Sequence, residues 1–467
     1  MDKKIFILLP DGVGLRNFAF TDFHQIGVDL GFHITFWNST LFNLSNLGFE
    51  EIKIENPKLH PSTDLYKRAQ IQIELNQNII RSNNSIYDSY RFPFTQKTVR
   101  QIIKTKVQKW IIFSHNSKNG LQRLKNSIKK NERKTKHYFE SIETLKKHNP
   151  DIVFCTNQRV TTAVSPILAA QDLGIPTATF IFSWDNLPKG TKIIDTDYYF
   201  VWSNHMKAEL LYYYPDINEN QIFVTGTPQF EPHFDKKLIV PKDQFFEEFN
   251  LDNNKKYICF SGDDETTSPN DQYYLLDLAK AIKELNLKGY NLGIIFRRCP
   301  VDFSNRYDKI LEEYSDIIKS INPRWEKISS NWDSILPLKD DISLLVNTIN
   351  YSECVVNIAS SMVFDFVTFN KPCAYLNYEI KESQFPKWSA KKIYNFIHFK
   401  SMPNKNAVFW VNQSDDIKNT IESMLNQEID IVKNAKKWFE VINHHPVEQS
   451  SNRIWNAIDT IISMKNE

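Results

Sequence analysis

A chain of 467 residues is too long for one ordinary hydrophobic core, and at roughly 150 residues per domain it points to two or three domains, two being the economical reading. Hydrophobic residues at 41% and charged residues at 24% are those of a globular protein, and no apolar run nears the ~20 residues of a membrane-spanning helix. A net charge of +2 carries no global nucleic-acid signature, and five scattered cysteines (Cys155, Cys259, Cys299, Cys354, Cys373) predict reduced core thiols rather than disulfides or a zinc site.

Lys3 to Leu9 predicts a buried strand. The apolar run behind the first lysines is only about five residues long and no small-residue cleavage site follows, so it reads as the first strand of a cytoplasmic protein. Pro10-Asp-Gly-Val-Gly-Leu-Arg-Asn-Phe18 and a helix to about Leu30 complete the opening of a Rossmann-like half. Gly12 and Gly14 start a dinucleotide fingerprint, but its third glycine is missing and no acidic residue closes the second strand, His33 to Trp37. No dinucleotide is expected. The glycines still allow another molecule to approach the backbone, and Asp11, Arg16 and Asn17 would project from the turn above the sheet.

From Ser62 to about Asn83, and again over 95–147, the pattern is helical. Between Lys97 and Lys136 many bases meet almost no acid, and Val99, Ile102, Ile103, Val107, Trp110 and Ile111 recur at three- and four-residue spacings. Two readings stand: a solvated face on a long helix, or a surface that docks on anionic lipid or an anionic acceptor. Asp151 to Asn157 is then a strand, Thr161 to Leu173 a helix, and Pro176 to Trp184, Tyr198 to Trp202 and Gln221 to Thr225 are further strands, giving a first domain of six or seven strands over 1–235. Glu231 to Lys242, with prolines and a charged centre, reads as a linker.

A second alternating run over 243–440 has strands at Tyr257 to Ser261, Leu292 to Arg297 and Val408 to Val411, and helices at Asp271 to Leu285, Tyr307 to Ile318 and Ile342 to Tyr351. Its centre is Cys354 to Tyr378, which reads as strand, tight turn, helix, turn, strand. The turn puts Ser360, Ser361 and free backbone N–H groups at a sheet edge, where an anion can bind; alternatively Ser360 merely caps the helix. Arg297 and Arg298 end an apolar strand, so each must reach solvent, a structural carboxylate or a phosphate. The fold class is therefore α/β, two Rossmann-like domains facing across a ligand cleft, with the helices of 441–467 crossing back to the first.

The pattern Ser-Ser-Met-Val-Phe-Asp-Phe followed by Asn-Lys-Pro-Cys-Ala-Tyr resembles the donor-domain signature of glycosyltransferases with the two-Rossmann, B-type fold. It is similar to that of CDP-glycerol glycerophosphotransferases, capsule sugar transferases and bacterial sialyltransferases with a Ser-Ser motif. Val224-Thr-Gly-Thr-Pro228 and Phe182-Ser-Trp-Asp-Asn186 also resemble segments of surface-polysaccharide transferases, while Cys299 stands where several of these families have a histidine.

The resemblance implies transfer of a group from a nucleotide-activated donor to a hydroxyl of a surface-glycan or lipid-linked acceptor, with inversion and without a metal or other cofactor. Arg297, Arg298, Ser360 and Ser361 would neutralise the leaving phosphate, Gly226, Ser261 and Gly262 would let backbone meet the donor, and Asp365 would accept a ribose or sugar hydroxyl unless it is a helix-surface carboxylate. The attacking hydroxyl needs a base, for which Asp11 comes first, Asp185 second and Asp263 third. Gly14, Arg16, Asn17 and Asn186 are the candidate acceptor contacts. Asp195-Thr-Asp197 matches a metal motif of another transferase class by chance. The alternatives are a CDP-activated glycerol- or polyol-phosphate transferase, an isomerase like the UDP-sugar 2-epimerases, and a non-catalytic nucleotide-sugar-binding protein. Expected partners are a nucleotide sugar, the acceptor and an anionic membrane at its inner face, with no nucleic acid.

Overall fold

The computed structural model describes residues 3–94, 97–328, 335–381, 383–385, 388–426 and 429–466. The chain divides into two compact units, Met1–Pro228 with Ile442–Glu467, and Gln229–Val441.

Among the described residues seven strands build the first unit: β1 (Lys3–Leu9), β2 (Phe32–Asn38), β3 (Glu51–Lys53), β4 (Ile152–Cys155), β5 (Thr177–Phe180), β6 (Tyr198–Val201) and β7 (Ile222–Val224). They lie in the order β3-β2-β1-β4-β5-β6-β7, every pair parallel. A parallel sheet is covered by helices on both faces, so its inner strands read as unbroken apolar runs, and Ile5 to Leu9 and Ile152 to Cys155 are all buried. The order reverses between β1 and β4, where Ile5 pairs with Ile152 and Leu8 with Cys155. Loops leaving two such strands part to opposite faces, and a crevice opens at their carboxyl ends.

On one face Phe18 meets Phe23, Phe154 and Phe180 edge-on at 5.0 to 5.4 Å. The C-terminal helix Ser450–Asn466 packs here as well. Its Trp455, fully buried, stacks on Phe23 at 4.6 Å and on Phe32 at 4.9 Å, and donates its indole N–H to the Phe23 carbonyl. The basic region is three helices, Val99–His115, Lys118–Glu132 and Lys136–His148. Each is started by a hydroxyl cap, Thr98, Ser117 and Thr135 accepting from the N–H groups of Gln101, Gly120 and Tyr138. Residues 95 and 96, where that region was predicted to begin, lie outside the described residues.

The second unit repeats the plan with β8 (Lys256–Ser261), β9 (Leu292–Arg297), β10 (Ile318–Ser320), β13 (Cys354–Asn357), β14 (Cys373–Leu376) and β15 (Phe409–Val411), in the order β10-β9-β8-β13-β14-β15 and again all parallel. Between β10 and β13, β11 (Trp325–Lys327) and β12 (Ile335–Pro337) form a small antiparallel pair. Its order reverses between β8 and β13, so the loops after Ser261 and Asn357 flank the second crevice.

Two expectations differ from this structure. The stretch Tyr307 to Ile318 is not one helix: the helix Asp308–Glu313 is short, and Ile318 turns into β10 because the edge of β9 offers it a ladder that no local pattern announces. Nor is 231–242 a linker. It runs through turns of 3-10 helix, Pro228–Phe234 and Lys236–Leu238, with Phe230 and His233 buried. The helix Asp340–Asn350 holds it: Ser343 and Asn347 both donate to the Leu238 carbonyl, and Asn347 accepts from the Val240 N–H.

Candidate functional site at the two sheet edges

Asp11 sits where β1 ends, at the reversal point of the first unit. The neighbouring strand β4 delivers Asn157, whose side-chain amide donates to Asp11 Oδ2 at 2.7 Å, while the Val13 N–H reaches Oδ1 at 3.3 Å. Asn157 is itself oriented, its Oδ1 accepting from the Arg159 N–H at 3.0 Å. Burial pushes the Asp11 carboxyl up to about 6, against the pull of the Arg159 charge and of the N–H donors from Val13, Asn157 and Gly14. Lys67, from the helix Thr63–Ser82, lies within electrostatic reach of Arg159 and Asp11, and burial, with the Arg159 charge, holds its ammonium below the usual lysine range. A carboxylate that ionises near neutral pH, held in one orientation beside two cationic side chains, can take a proton from a bound hydroxyl.

The other predicted residues of this unit are placed differently. A Cβ on Gly14 would lie 2.4 Å from Thr156 Oγ1, so this glycine lets the first helix press against the end of β4. Asn17 is buried, its carbonyl accepting from the Thr21 hydroxyl, whereas Arg16 is half-buried. Asp185 accepts from the Ser183 hydroxyl at 2.6 Å, from the Asn186 amide at 2.8 Å and from the Lys189 ammonium. It braces its loop. Asn186, buried, also accepts from Gln158 at 3.2 Å, and Gln158 in turn accepts from the Phe182 N–H, knitting the loops after β4 and β5 together. Gly226 has a φ of +79°, and a Cβ there would meet Ser450 Oγ at 2.4 Å. The space in front of this glycine is filled by the start of the C-terminal helix rather than left open for a donor.

In the second unit Ser261 pairs with Arg297, and the Gly262 N–H donates to the Arg297 carbonyl at 2.9 Å. A Cβ on Gly262 would come within 3.3 Å of Asp271 Oδ2, which accepts from the Asp263 N–H and from the Tyr307 hydroxyl. Burial, together with the charges of Asp264 and Asp271, pushes the Asp263 carboxyl up to about 8, and burial lifts Asp271 to about 6. Arg306 braces this loop by donating to the Asp263 carbonyl and to Asp302.

Two of the residues expected at this edge have carboxylate or imidazole partners inside the fold. Arg297 is buried, and its Nη2 lies 3.0 Å from both oxygens of Asp341, which also accepts from Trp325. Its charge is matched inside the fold by Asp341. Arg298 is half-buried, lies over the Tyr307 ring at 5.0 Å and donates to the Ser304 carbonyl. Asp365 is no surface carboxylate: it is buried, 2.8 Å from His233 Nε2. Ser360 and Ser361 do sit at the turn after β13, where Ala359 adopts a φ of +54°. That turn uses part of its own hydrogen-bonding capacity, the Ser360 N–H donating to Asn357 and the Met362 N–H to the Ser360 hydroxyl.

No protein-family model matches the chain, and no curated protein sequence matches it. Solved structures do. A Listeria monocytogenes protein provisionally assigned as a UDP-N-acetylglucosamine 2-epimerase superposes with a TM-score of 0.57 at 12% identity, over 99% of this chain and 98% of that one. The Neisseria meningitidis UDP-GlcNAc 2-epimerase bound to UDP-GlcNAc gives 0.53 at 12% identity over 99% and 100%, and a Rickettsia africae glycosyltransferase 0.51 at 13% identity over 100% and 99%. The chain has the B-type, two-Rossmann fold. The expectation of two Rossmann-like domains is thereby met, since strand order, parallel pairing and full-length superposition agree.

Within this fold Asp195 and Asp197 are structural. Lys192 and Lys129 hold Asp195 and, outweighing the effect of its burial, keep its carboxyl well below the usual range; Asp197 accepts from the N–H and hydroxyl of Thr177. Sequence reasoning missed Asn157, Arg159 and Lys67. The first two had a usable signal: a polar Asn-Gln-Arg run directly after an apolar strand, on the strand that a Rossmann order sets beside β1. Lys67 had none, being one base among many on a long helix.

Proposed function

We propose that this chain is an enzyme acting on nucleotide sugars, and specifically a glycosyltransferase in which Asp11 is the catalytic base. The observation that carries the reading is the Asp11 cluster: an oriented carboxyl at the reversal point of a parallel sheet, with its pKa pushed up to about 6. In the proposed step the acceptor hydroxyl gives its proton to Asp11 as its oxygen bonds to the anomeric carbon, and the bond from that carbon to the donor phosphate breaks, with inversion. The Arg159 charge favours the ionised form of Asp11 above that pKa. Donor binding is assigned to Ser261, Gly262, Arg298, Ser360 and Ser361 of the second unit, with charge neutralisation by protein groups and no metal in the step. The resemblance of the Ser-Ser segment to transferase donor domains and the shared fold support this reading.

A second reading is a 2-epimerase, favoured by the fold shared with several UDP-GlcNAc 2-epimerase structures. An epimerase needs no acceptor, but it must remove a proton from carbon and return one to the other face. That asks for acid–base groups beyond Asp11, of which the first edge offers Asp185, already holding three donors, and the second edge Asp263 and Asp271. The deciding experiment screens thermal shifts with UDP, GDP, CDP, CMP, dTDP and their sugar and glycerol conjugates in EDTA, then follows turnover of whichever donor binds. A ligand at about a hundred times its Kd adds roughly 2.7 kcal/mol to the folded state, a visible shift. Nucleotide release that requires an acceptor supports the transferase; conversion of the donor to its C2 epimer without acceptor replaces it with the isomerase; a phosphoalditol in the product replaces it with the polyol-phosphate transferase. No shift with any nucleotide overturns the nucleotide-sugar reading.

A further inference from the structure

The helix Val99–His115 is amphipathic in the inverse of the usual sense. Side chains three, four and seven apart share a helix face, which puts Val99, Ile103, Lys106, Trp110 and Phe113 on one stripe. That stripe points to solvent: Val99 is 73% exposed, Ile103 57%, Trp110 66% and Phe113 85%, with Ile102 and Val107 exposed on its flanks and Phe92 80% exposed just ahead of the helix. The inward face carries Thr105, Gln108 and Ile111, of which Ile111 packs among Ala69, Ile73, Leu121 and Leu124. A helix that keeps polar residues inside and its Trp and Phe outside presents an apolar patch of the kind that marks an interaction surface.

The charges around the stripe say what covers it. Arg100, Lys104, Lys106 and Lys109 lie on this helix, which contains no acidic residue, and all four are exposed. Lys104 is paired with Asp64, so the charge available at the patch comes from Arg100, Lys106 and Lys109. A second copy of this chain is a poor occupant, because a two-fold contact would bring these like charges together as the apolar residues meet. An anionic bilayer satisfies both features at once, its headgroups taking the bases and its acyl boundary taking Trp110 and Phe113. At 17 residues the helix is about 25 Å long and would lie in the interface rather than cross it.

We infer that the Val99–His115 face is a docking site for an anionic lipid surface, holding the first unit on a membrane. The inference is independent of the reaction catalysed, since binding is read without turnover. The experiment is flotation of the full chain with vesicles of phosphatidylcholine alone or mixed equally with phosphatidylglycerol. The wild type is expected to float with the anionic vesicles and to bind them at least about tenfold more tightly than neutral ones, the preference fading at high salt. Lys106→Glu with Lys109→Glu should weaken binding by at least about 25-fold, about fivefold for each base, and Trp110→Ser with Phe113→Ser by at least about tenfold. Both variants alter exposed side chains only and should keep the wild-type thermal midpoint. Equal binding to neutral and anionic vesicles, or none to either, overturns the inference. So does a dimer by light scattering that Trp110→Ser with Phe113→Ser converts to monomer, which would assign the stripe to a second copy.

Discussion

Asp11→Asn separates a catalytic carboxylate from a turn-forming one, because the two roles predict opposite balances of activity and stability. Burial lifts this carboxyl from 3.8 to about 6. A group whose folded pKa is raised contributes stability that is fully present below its unfolded pKa and is lost as the pH rises through the folded one, here between 3.8 and about 6. The shift is about 2 units, and at ~1.4 kcal/mol per unit the ionised side chain costs the native state up to about 3 kcal/mol at pH 7. Asparagine cannot ionise. The variant should therefore match the wild type near pH 4 and exceed it by up to about 3 kcal/mol at pH 7, while turnover falls by about 10² to 10⁴ as the base is lost. Urea denaturation at pH 4, 5, 6 and 7 reads the first effect, and acceptor-dependent nucleotide release reads the second. In the wild type, kcat/KM should rise through pH about 6 and then level. Turnover within about threefold of wild type, or a stability gap that does not widen from pH 4 to pH 7, would refute the assignment of Asp11 as the base.

Two further variants test the placement of buried side chains. Asp341→Ala leaves the Arg297 guanidinium buried without its carboxylate and should destabilise the second unit by about 3 to 5 kcal/mol, read by denaturation, while nucleotide affinity of the folded fraction is unchanged; an affinity loss of tenfold or more would return Arg297 to the phosphate site. Trp455→Ala removes a fully buried indole from between Phe23 and Phe32 and should cost about 3 to 5 kcal/mol, lowering the thermal midpoint of the first unit by roughly 10 °C. A midpoint shift under about 2 °C would mean that the C-terminal helix adds little to that unit.

The alternation of strand and helix, the glycine turn that carries Asp11 and the Ser-Ser turn after β13 could all be read in the sequence, because each is a local pattern of apolar run, turn former and helical spacing. So could the composition of the Val99–His115 helix, although its periodicity is the same whether the apolar stripe faces inward or outward; the packing against Ala69 and Ile73 decided that it faces out. What the tertiary structure alone decided is which charged side chains are matched within the fold. Arg297 meets a carboxylate 44 residues away, Asp365 a histidine at a separation of 132, and Asp11 an amide at 146. Two arginines at a strand end look alike in a sequence. One is buried against Asp341 of the helix Asp340–Asn350 and the other lies half-exposed over Tyr307 with Asp308 3.9 Å away, because a β-strand turns successive side chains to opposite faces.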